Sequence, residues 1–230
     1  SSNESSDSVT VIDPVTNTVR TVVGVGNGPG RPAVLPGGAK VYVPNQYANS
    51  ISVITTFPAH SVSSTVVDGS FAYPNAAVAT PTGDAVWVVN RDNSSVTVIE
   101  TVTDTVVASL SDPCLNGPQG IVANPVNHEM YVLSSNQGSI CVFDRFSRAF
   151  LRSISVGGFP ESAVVLPNGT ALYVITGGGG TAVRVALPSG AATSILGVYG
   201  HQMDMTADGS RIYVGREGDG LAMINTADNS

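Results

Sequence analysis

Charged side chains are scarce in this 230-residue chain. Only 12% of the residues are Asp, Glu, Lys or Arg, Lys40 is the single lysine, and the formal net charge is −7. A protein that binds the phosphate backbone of nucleic acids needs a surface rich in Lys and Arg. The composition therefore argues against a non-specific nucleic-acid binder, and we predict no nucleic-acid partner.

Long apolar runs and helical periodicity are also missing from the sequence. No stretch approaches the roughly 20 uninterrupted apolar residues of a membrane helix, so we predict no membrane span. No segment keeps apolar residues at helical spacing. The chain contains 25 Gly and 14 Pro, and 42% of its residues are hydrophobic. This composition indicates a turn-rich all-β protein rather than disorder.

Cysteine and histidine are rare as well. Cys114 and Cys141 are too few for a disulfide scaffold and lack metal-ligand spacing. We expect Cys114 in a loop and Cys141 in a strand, where one disulfide could form but is not implied. The three histidines are His60, His128 and His201, and we expect them at different loops, so no metal site is predicted. The chain also has no Cys-x-x-Cys-His haem attachment motif, and we predict no cofactor, although non-covalent haem stays open.

A turn followed by an aromatic residue recurs five times. Each copy has a Pro-x-Gly-like triplet and, six residues after its first position, an aromatic inside a run of apolar residues. The copies are Pro36-Gly37-Gly38 with Tyr42, Pro81-Thr82-Gly83 with Trp87, Pro125-Val126-Asn127 with Tyr131, Pro167-Asn168-Gly169 with Tyr173, and Ala207-Asp208-Gly209 with Tyr213. The aromatics lie 45, 44, 42 and 40 residues apart. A period of about 40–45 residues with several short strands in each repeat is typical of propeller blades.

Each repeat predicts four short antiparallel strands joined by turns. In one repeat these are Ala76–Thr80, Ala85–Val89, Ser95–Ile99 and Thr105–Leu110, which are rich in β-branched residues and bounded by Gly, Pro, Asn and Asp. A four-stranded meander repeated along the chain is the unit of a β-propeller. We therefore predict an all-β fold, a β-propeller of four-stranded antiparallel blades.

Two segments carry a family resemblance. Tyr42-Val43-Pro44-Asn45 and Trp87-Val88-Val89-Asn90 resemble the Tyr-Val-Thr-Asn motif of the YVTN family of β-propeller repeat proteins. Residues 8–19 and 95–106 resemble the third strand, turn and fourth strand of the same family, whereas the repeats at Tyr173 and Tyr213 keep only Tyr-Val. The resemblance implies the propeller fold. It implies no particular activity, because the motif residues are turn and core positions.

The number of blades stays open at this point. Residues 5–26 predict a third and a fourth strand, and residues 203–230 predict a first, a second and a third. The total of 21 strands is one more than five blades need. We therefore keep two interpretations of a propeller domain over residues 1–230: a closed ring of five or six blades, or a fragment of a larger ring. YVTN-like proteins are commonly seven-bladed, and a seven-bladed ring would need roughly 300 residues at this period, so that this chain would be a fragment or a second chain would complete the ring.

The loops that enter the first strand of each repeat should meet at one mouth of the channel. They align as Pro29-Gly30, Pro74-Asn75, Pro118-Gln119, Pro160-Glu161 and Gly200-His201. Proline fixes the backbone in four of them, and the next position is polar in four. We predict a ligand-binding ring of Arg31, Asn75, Gln119, Glu161 and His201. The alternative is a solvated entrance whose polar groups bind only water.

The predicted function is a non-catalytic module that presents this polar mouth to a protein, a glycan or a small ligand. The alternative is an enzyme at the same mouth, a lactonase-like hydrolase or a lyase. In that case Glu161 and His201, which come from neighbouring repeats, would form an acid–base pair within about 3 Å. Propeller lactonases resemble YVTN proteins in fold, so this alternative rests on analogy. No Gly-x-Ser-x-Gly motif marks a nucleophilic serine.

Several features favour an extracellular, cell-surface or periplasmic protein. Lysine is nearly absent, the strands are rich in hydroxyl groups, and Asn-x-Ser/Thr acceptors that would make it a glycoprotein occur at Asn3, Asn93 and Asn168. The polar segment 1–6 is typical of a mature or trimmed N-terminus.

Three further segments are interpreted as surface features. Residues 177–180, four glycines, predict a flexible hairpin turn rather than a phosphate loop, and residues 217–220 predict a solvated hairpin tip. Arg145, Arg148 and Arg152 predict a solvated outer blade edge, with an anionic partner as the alternative.

Overall fold

The computed structural model describes residues 1–177, 181–195, 197–198, 200–216 and 220–230. Within these residues the chain forms 22 β-strands and two single-turn 3₁₀ helices, Glu4–Ser6 and Ser135–Gln137. The interpretations of the glycine run at 177–180 and of the acidic tip at 217–220 concern residues that lie, except for Gly177 and Gly220, outside the described part.

The strands form six antiparallel meanders, and the predicted β-propeller of four-stranded antiparallel blades is confirmed. The chain divides into two compact units, residues 1–111 and residues 112–230. Unit 1 holds blade 1 (β1 Ser2–Asn3, β2 Ser8–Asp13, β3 Thr18–Gly24), blade 2 (β4 Ala33–Val34, β5 Lys40–Asn45, β6 Ser50–Thr55, β7 Ser61–Val67) and blade 3 (β8 Pro74–Ala79, β9 Ala85–Asn90, β10 Ser95–Glu100, β11 Thr105–Ser111).

Unit 2 holds the other three blades. Blade 4 comprises β12 Pro118–Ala123, β13 Glu129–Ser134, β14 Ser139–Asp144 and β15 Phe150–Ser155; blade 5 comprises β16 Phe159–Val165, β17 Ala171–Gly177, β18 Thr181–Ala186 and β19 Ala192–Ile195; blade 6 comprises β20 Gln202–Met205, β21 Arg211–Arg216 and β22 Gly220–Asn225. The described residues form six blades, and both interpretations, a closed ring and a fragment of a larger one, stay predictions.

The second and third strands of blades 2 to 5 are largely buried on both faces. In unit 1, Tyr42 and Val53 of blade 2 pack with Val86 and Val88 of blade 3 in one apolar cluster. In unit 2, Tyr131 of blade 4 packs against blade 5, and Tyr173 of blade 5 packs against blade 6. Burial on both faces explains why second strands contain continuous apolar runs, such as Val86–Val89, instead of alternating ones.

The Pro-x-Gly pattern comes from turns of adjacent blades that touch each other. Gly83 has φ +74°, and a Cβ there would lie 3.2 Å from Cδ of Pro36 in the preceding blade. Gly209 has φ +73°, and its Cβ would lie only 2.5 Å from Cδ of Pro167. The glycine is therefore needed both for its backbone conformation and for the close approach of the next turn.

A buried asparagine links the second and third strands in the two blades that carry the family-like motif. Nδ2 of Asn45 donates to Ser50 and Ser52, both at 3.0 Å, and Nδ2 of Asn90 donates to Ser95 at 3.0 Å and Thr97 at 2.9 Å. In blade 1, Asn3 makes the same contacts to Ser8 at 3.1 Å and Thr10 at 2.8 Å. The short strand β1 is thus the end of a second strand, which the sequence analysis missed. The recurring spacing of five and seven residues after the asparagine was the available signal.

Blade 4 replaces a hydrogen bond of blade 3 with a covalent bond. In blade 3, Oγ1 of Thr97 donates to Oγ of Ser70 in the loop before β8, at 3.0 Å. In blade 4, Cys141 occupies the position of Thr97 in the third strand, and Cys114 lies four residues before Pro118, as Ser70 does before Pro74. Cys114 and Cys141 form a disulfide with a Cα–Cα distance of 5.9 Å. The open question of their pairing is thereby answered.

Candidate functional site

The polar residues that follow the loop prolines lie at β-bulges. The register between first and second strands skips one residue after Pro74, Pro118 and Pro160. Asn75 and Gln119 are two of the skipped residues, and Glu161 is the third. A β-bulge changes the direction of the extra residue's side chain relative to a regular strand. The repeated polar position found in the sequence therefore has a structural cause.

In unit 1 the structure brings Arg31 and Asn75 together through their backbones. The N–H of Arg31 donates to the carbonyl of Asn75 at 3.0 Å, and the carbonyl of Arg31 accepts from Ala77 at 3.0 Å. Gly30 takes the bulge position of blade 2, where a Cβ would lie 2.3 Å from the carbonyl oxygen of Asn75. Only glycine allows the backbone of Asn75 to approach so closely. Blade 2 therefore has no side chain at the bulge position, and its polar side chain is that of the next residue, Arg31.

In unit 2 the structure brings Glu161 and His201 together through their side chains. Nδ1 of His201 lies 2.7 Å from Oε2 of Glu161. The His201 side chain is 54% exposed and that of Glu161 is 27% exposed. The carboxylate lies over Gly177, where a Cβ would meet Oε1 at 2.2 Å. The pair therefore joins blades 5 and 6 at a position open to solvent.

This geometry defines what the pair can do chemically. When neutral His201 carries its proton on Nδ1, it donates to Glu161 and keeps Nε2 unprotonated as a base or an acceptor. When His201 is protonated, the two groups form an ion pair. Either state can hydrogen-bond a polar ligand. The structure places Arg31 and Asn75 in unit 1 and Gln119, Glu161 and His201 in unit 2, so one ring of all five residues stays a prediction.

Metal ligands do not assemble in the part of the chain that the structure describes. No group of three or more His, Cys, Asp or Glu side chains there could hold a metal ion. His128 packs against the ring of Phe146, with 4.7 Å between the ring centroids. Among the same residues, no helix is long and apolar enough to cross a membrane.

A pocket of about 320 Å³ lies in unit 2 at the opposite strand ends from the Glu161–His201 pair. Its lining consists of Leu166, Pro167, Asn168, Asp208, Gly209, Ser210 and Thr226. Hydrogen bonds from the side chain of Thr206 and from the backbone and side chain of Ser210 lower the pKa of Asp208 to about 2. Its carboxylate is thus engaged in forming the turn.

The predicted basic stretch of Arg145, Arg148 and Arg152 is not a uniform solvated edge. Arg152 makes a two-pronged ion pair with Glu129, with Nη–Oε distances of 2.5 and 3.1 Å. The guanidinium of Arg145 lies 4.7 Å from the ring centroid of Phe146. The side chains of Arg145 and Arg152 therefore make contacts within blade 4.

Glu129 gives a pH-dependent prediction. Burial disfavours its ionised form, but the hydrogen bonds from Arg152 and from Tyr131, the latter at 2.6 Å, outweigh burial and hold the pKa of Glu129 below its usual value. A lowered pKa contributes stability above the unfolded value near pH 4.3, and this contribution is lost as pH falls through the folded value. We expect Glu129→Gln to cost about 1–2 kcal/mol of unfolding free energy at pH 7 and less than that at pH 3.

Denaturant unfolding of both proteins at pH 7, 5 and 3 measures this difference. Glu100→Gln is the matched control, since Glu100 accepts from the exposed Thr103 in a turn. A gap between wild type and Glu129→Gln that stays constant from pH 7 to 3 would contradict the prediction.

Unit 1 contains an aromatic cluster that was not predicted from the sequence. Tyr47 lies in the β5–β6 turn, where blade 3 has Asp92, and its ring meets that of Tyr73 edge-on at 5.7 Å between centroids. Arg91 lies 5.7 Å from the centroid of Tyr73. The only signal in the sequence was an aromatic two residues after Asn45, in a turn that is polar in the other repeats.

Known proteins resemble this chain in fold. A chain of Kuenenia stuttgartiensis hydrazine synthase superposes with a TM-score of 0.84 and 22% identity over 97% of this chain and 72% of that one. A functionally unknown protein from Desulfotomaculum acetoxidans DSM 771 superposes with a TM-score of 0.79 and 14% identity over 97% of this chain and 77% of that one. At these identities the similarity shows the fold alone.

No protein-family model matches the chain, and no curated protein sequence does. Membership of the YVTN family therefore stays a resemblance carried by Tyr42–Asn45 and Trp87–Asn90.

Proposed function

We propose that the protein is an extracytoplasmic binding module that presents the polar bulge residues of its blades to a ligand. The observation that carries this proposal is the contact between Glu161 and His201, from adjacent blades, at 2.7 Å. The pair is solvent-accessible. Glu161 lies in β16 between the buried residues Pro160 and Ser162, so its polar atoms are held by a rigid scaffold. Sites built on strands position polar groups more accurately than mobile loops do.

The disulfide supports the location outside the cytoplasm. Disulfides persist in oxidising compartments and are rare in the cytosol. Of the three acceptor asparagines, Asn168 is exposed and uses Oδ1 to accept from Thr170, whereas Nδ2 of Asn3 and of Asn93 donates to a neighbour. Because a glycan attaches to Nδ2, Asn168 is the acceptor best suited to modification in the folded protein. Intact mass of unreduced native material, before and after glycosidase, tests both features.

The test of the binding site uses Glu161→Gln and His201→Ala. A thermal-shift screen of wild type against small polar metabolites and soluble peptides identifies a ligand, and titration of both variants follows. We expect each variant to bind at least tenfold more weakly, about 1.4 kcal/mol. Arg20→Ala is the control, because it removes the exposed ion pair with Asp13. Unchanged affinity in both variants would exclude the pair from the site.

A second candidate is an enzyme that uses the same pair, because a carboxylate that holds an imidazole is an acid–base arrangement. Glu161 would orient His201, and His201 would act as the base in a lactonase-like hydrolysis or in an elimination. Turnover of a lactone panel by wild type, with at least a hundredfold loss in His201→Ala, supports this candidate. Activity that survives the double variant Glu161→Ala/His201→Ala would rule it out.

We also infer that a second chain packs on blade 6. Leu221 and Met223 of β22 are 69% and 48% exposed, whereas Val96 and Val98, their counterparts in β10, are 0% and 1% exposed. Among the described strands, β22 is hydrogen-bonded to β21 and to no other, and an edge of this kind accepts another strand. Light scattering tests this inference: a species near 23.5 kDa at micromolar concentration would refute it.

A further inference from the structure

Four side chains of unit 1 form a continuous surface across three blades. Glu4 belongs to the 3₁₀ turn of blade 1, Tyr47 to the β5–β6 turn of blade 2, and Tyr73 and Arg91 to the loops of blade 3. The hydroxyl of Tyr47 donates to Oε1 of Glu4 at 2.8 Å. The ring of Tyr47 meets that of Tyr73, over which Arg91 lies. We call these four residues the tyrosine surface.

The backbone around the tyrosine surface fixes both rings. Tyr73 has φ +53°, a left-handed conformation that is rare and unfavourable for an aromatic residue. It is held by a hydrogen bond from its N–H to Oδ1 of Asn49 at 2.8 Å and by one from the N–H of Arg91 to its carbonyl at 3.1 Å. The ring of Tyr47 rests on Gly28, where a Cβ would lie 2.3 Å from Cδ2. The surface is therefore organised without a ligand, which lowers the entropic cost of binding one.

The exposure and charge of the surface restrict the ligand. Tyr47 is 57% exposed, although its ring is held on a rigid turn. Hydrogen bonds to Glu4 and to Tyr73 raise the pKa of Tyr47 to about 12, so the phenol stays neutral. Glu4 and Arg91 carry opposite charges, so the surface has no net charge to attract an ion. Phenol, carboxylate and guanidinium together offer donors and acceptors at the edges of an apolar ring face.

We propose that the tyrosine surface binds a neutral oligosaccharide. A pyranose ring presents C–H groups on one face and hydroxyls at its rim, which match an exposed tyrosine ring bordered by Glu4 and Arg91. A peptide anchored by an apolar side chain would need a buried pocket, and none of the four side chains is aliphatic. The proposal goes beyond the binding role of Glu161 and His201, which belong to unit 2.

The experiment measures binding of the full chain to a glycan array that carries neutral oligomers of glucose, mannose, galactose and N-acetylglucosamine. We expect wild type to bind at least one of them, and Tyr47→Ala to bind it at least tenfold more weakly. Tyr47→Phe keeps the ring and should lose only two- to fivefold. Phe146→Ala is the matched control, because Phe146 is 56% exposed in a turn of blade 4, and it should bind like wild type. Thermal melting confirms that each variant is folded.

Three outcomes would overturn the proposal. They are no retention of any neutral oligomer by wild type at millimolar concentration, equal binding by wild type and Tyr47→Ala, and equal losses in Tyr47→Ala and Phe146→Ala. Glu161→Gln and His201→Ala should keep full glycan binding. A loss in those variants together with normal binding by Tyr47→Ala would place the glycan at the other site. The experiment therefore distinguishes a failure of the tyrosine-surface proposal from a failure of the proposal for Glu161 and His201.

Discussion

Removal of the Cys114–Cys141 disulfide by the double variant Cys114→Ala/Cys141→Ala is expected to lower the free energy of unfolding by about 3 kcal/mol. The cysteines are 27 residues apart, and a cross-link of this span removes loop-closure entropy of about that size from the unfolded chain. Both cysteines are also buried. Guanidinium denaturation of the wild type and the variant measures the difference.

A second double variant separates the covalent bond from the position it occupies. Cys114→Ser/Cys141→Thr copies the Ser70 and Thr97 pair of blade 3, which makes a hydrogen bond at 3.0 Å. We expect it to recover about 1 kcal/mol relative to the alanine variant, the typical net value of a hydrogen bond. Wild type under a reducing agent should lose stability like the alanine variant. If wild type and the alanine variant unfold at the same denaturant concentration, the disulfide contributes nothing.

The repeating strands could be predicted from sequence because the same packing constraints apply to each repeat. Tyr42 and Trp87 are fully buried, and glycine turns such as Gly83 touch the preceding turn. These constraints recur about every 40–45 residues and therefore leave a periodic pattern. Strand β1 was not predicted, because its two residues contain no apolar run and only the hydrogen bonds of Asn3 identify it.

The candidate site could be predicted only in part. The position of Glu161 follows from its place after Pro160, but its distance to His201 depends on a bulge and on side-chain rotamers that no spacing encodes. Tyr47 was missed because an exposed turn residue contributes to no periodic burial. The pairing of Cys114 with Cys141 needed an alignment of blade 4 with blade 3, in which Ser70 and Thr97 already touch.

The other large expected effect concerns the asparagine of the family-like motif in blade 3. Asn90→Ala is expected to cost about 2–4 kcal/mol of unfolding free energy. Asn90 is fully buried, and its Nδ2 donates to Ser95 at 3.0 Å and to Thr97 at 2.9 Å. The variant loses both hydrogen bonds, each worth about 1 kcal/mol net, and leaves a cavity where the amide was. Chemical denaturation at pH 7 measures the loss.

Asn93→Ala is the matched control for Asn90→Ala. Asn93 belongs to the same hairpin, but its Nδ2 donates to the carbonyl of Ser70 in an exposed setting, so its removal should cost less than about 1 kcal/mol. A loss for Asn90→Ala no larger than that of the control would mean that apolar packing alone determines the hairpin. A larger loss for Asn90→Ala would show that Asn90 is a buried polar link between the second and third strands. The two N–H groups of its Nδ2 find acceptors only when Ser95 and Thr97 face it. The motif would then fix strand register in the blade, which explains how it can identify a fold without identifying a function.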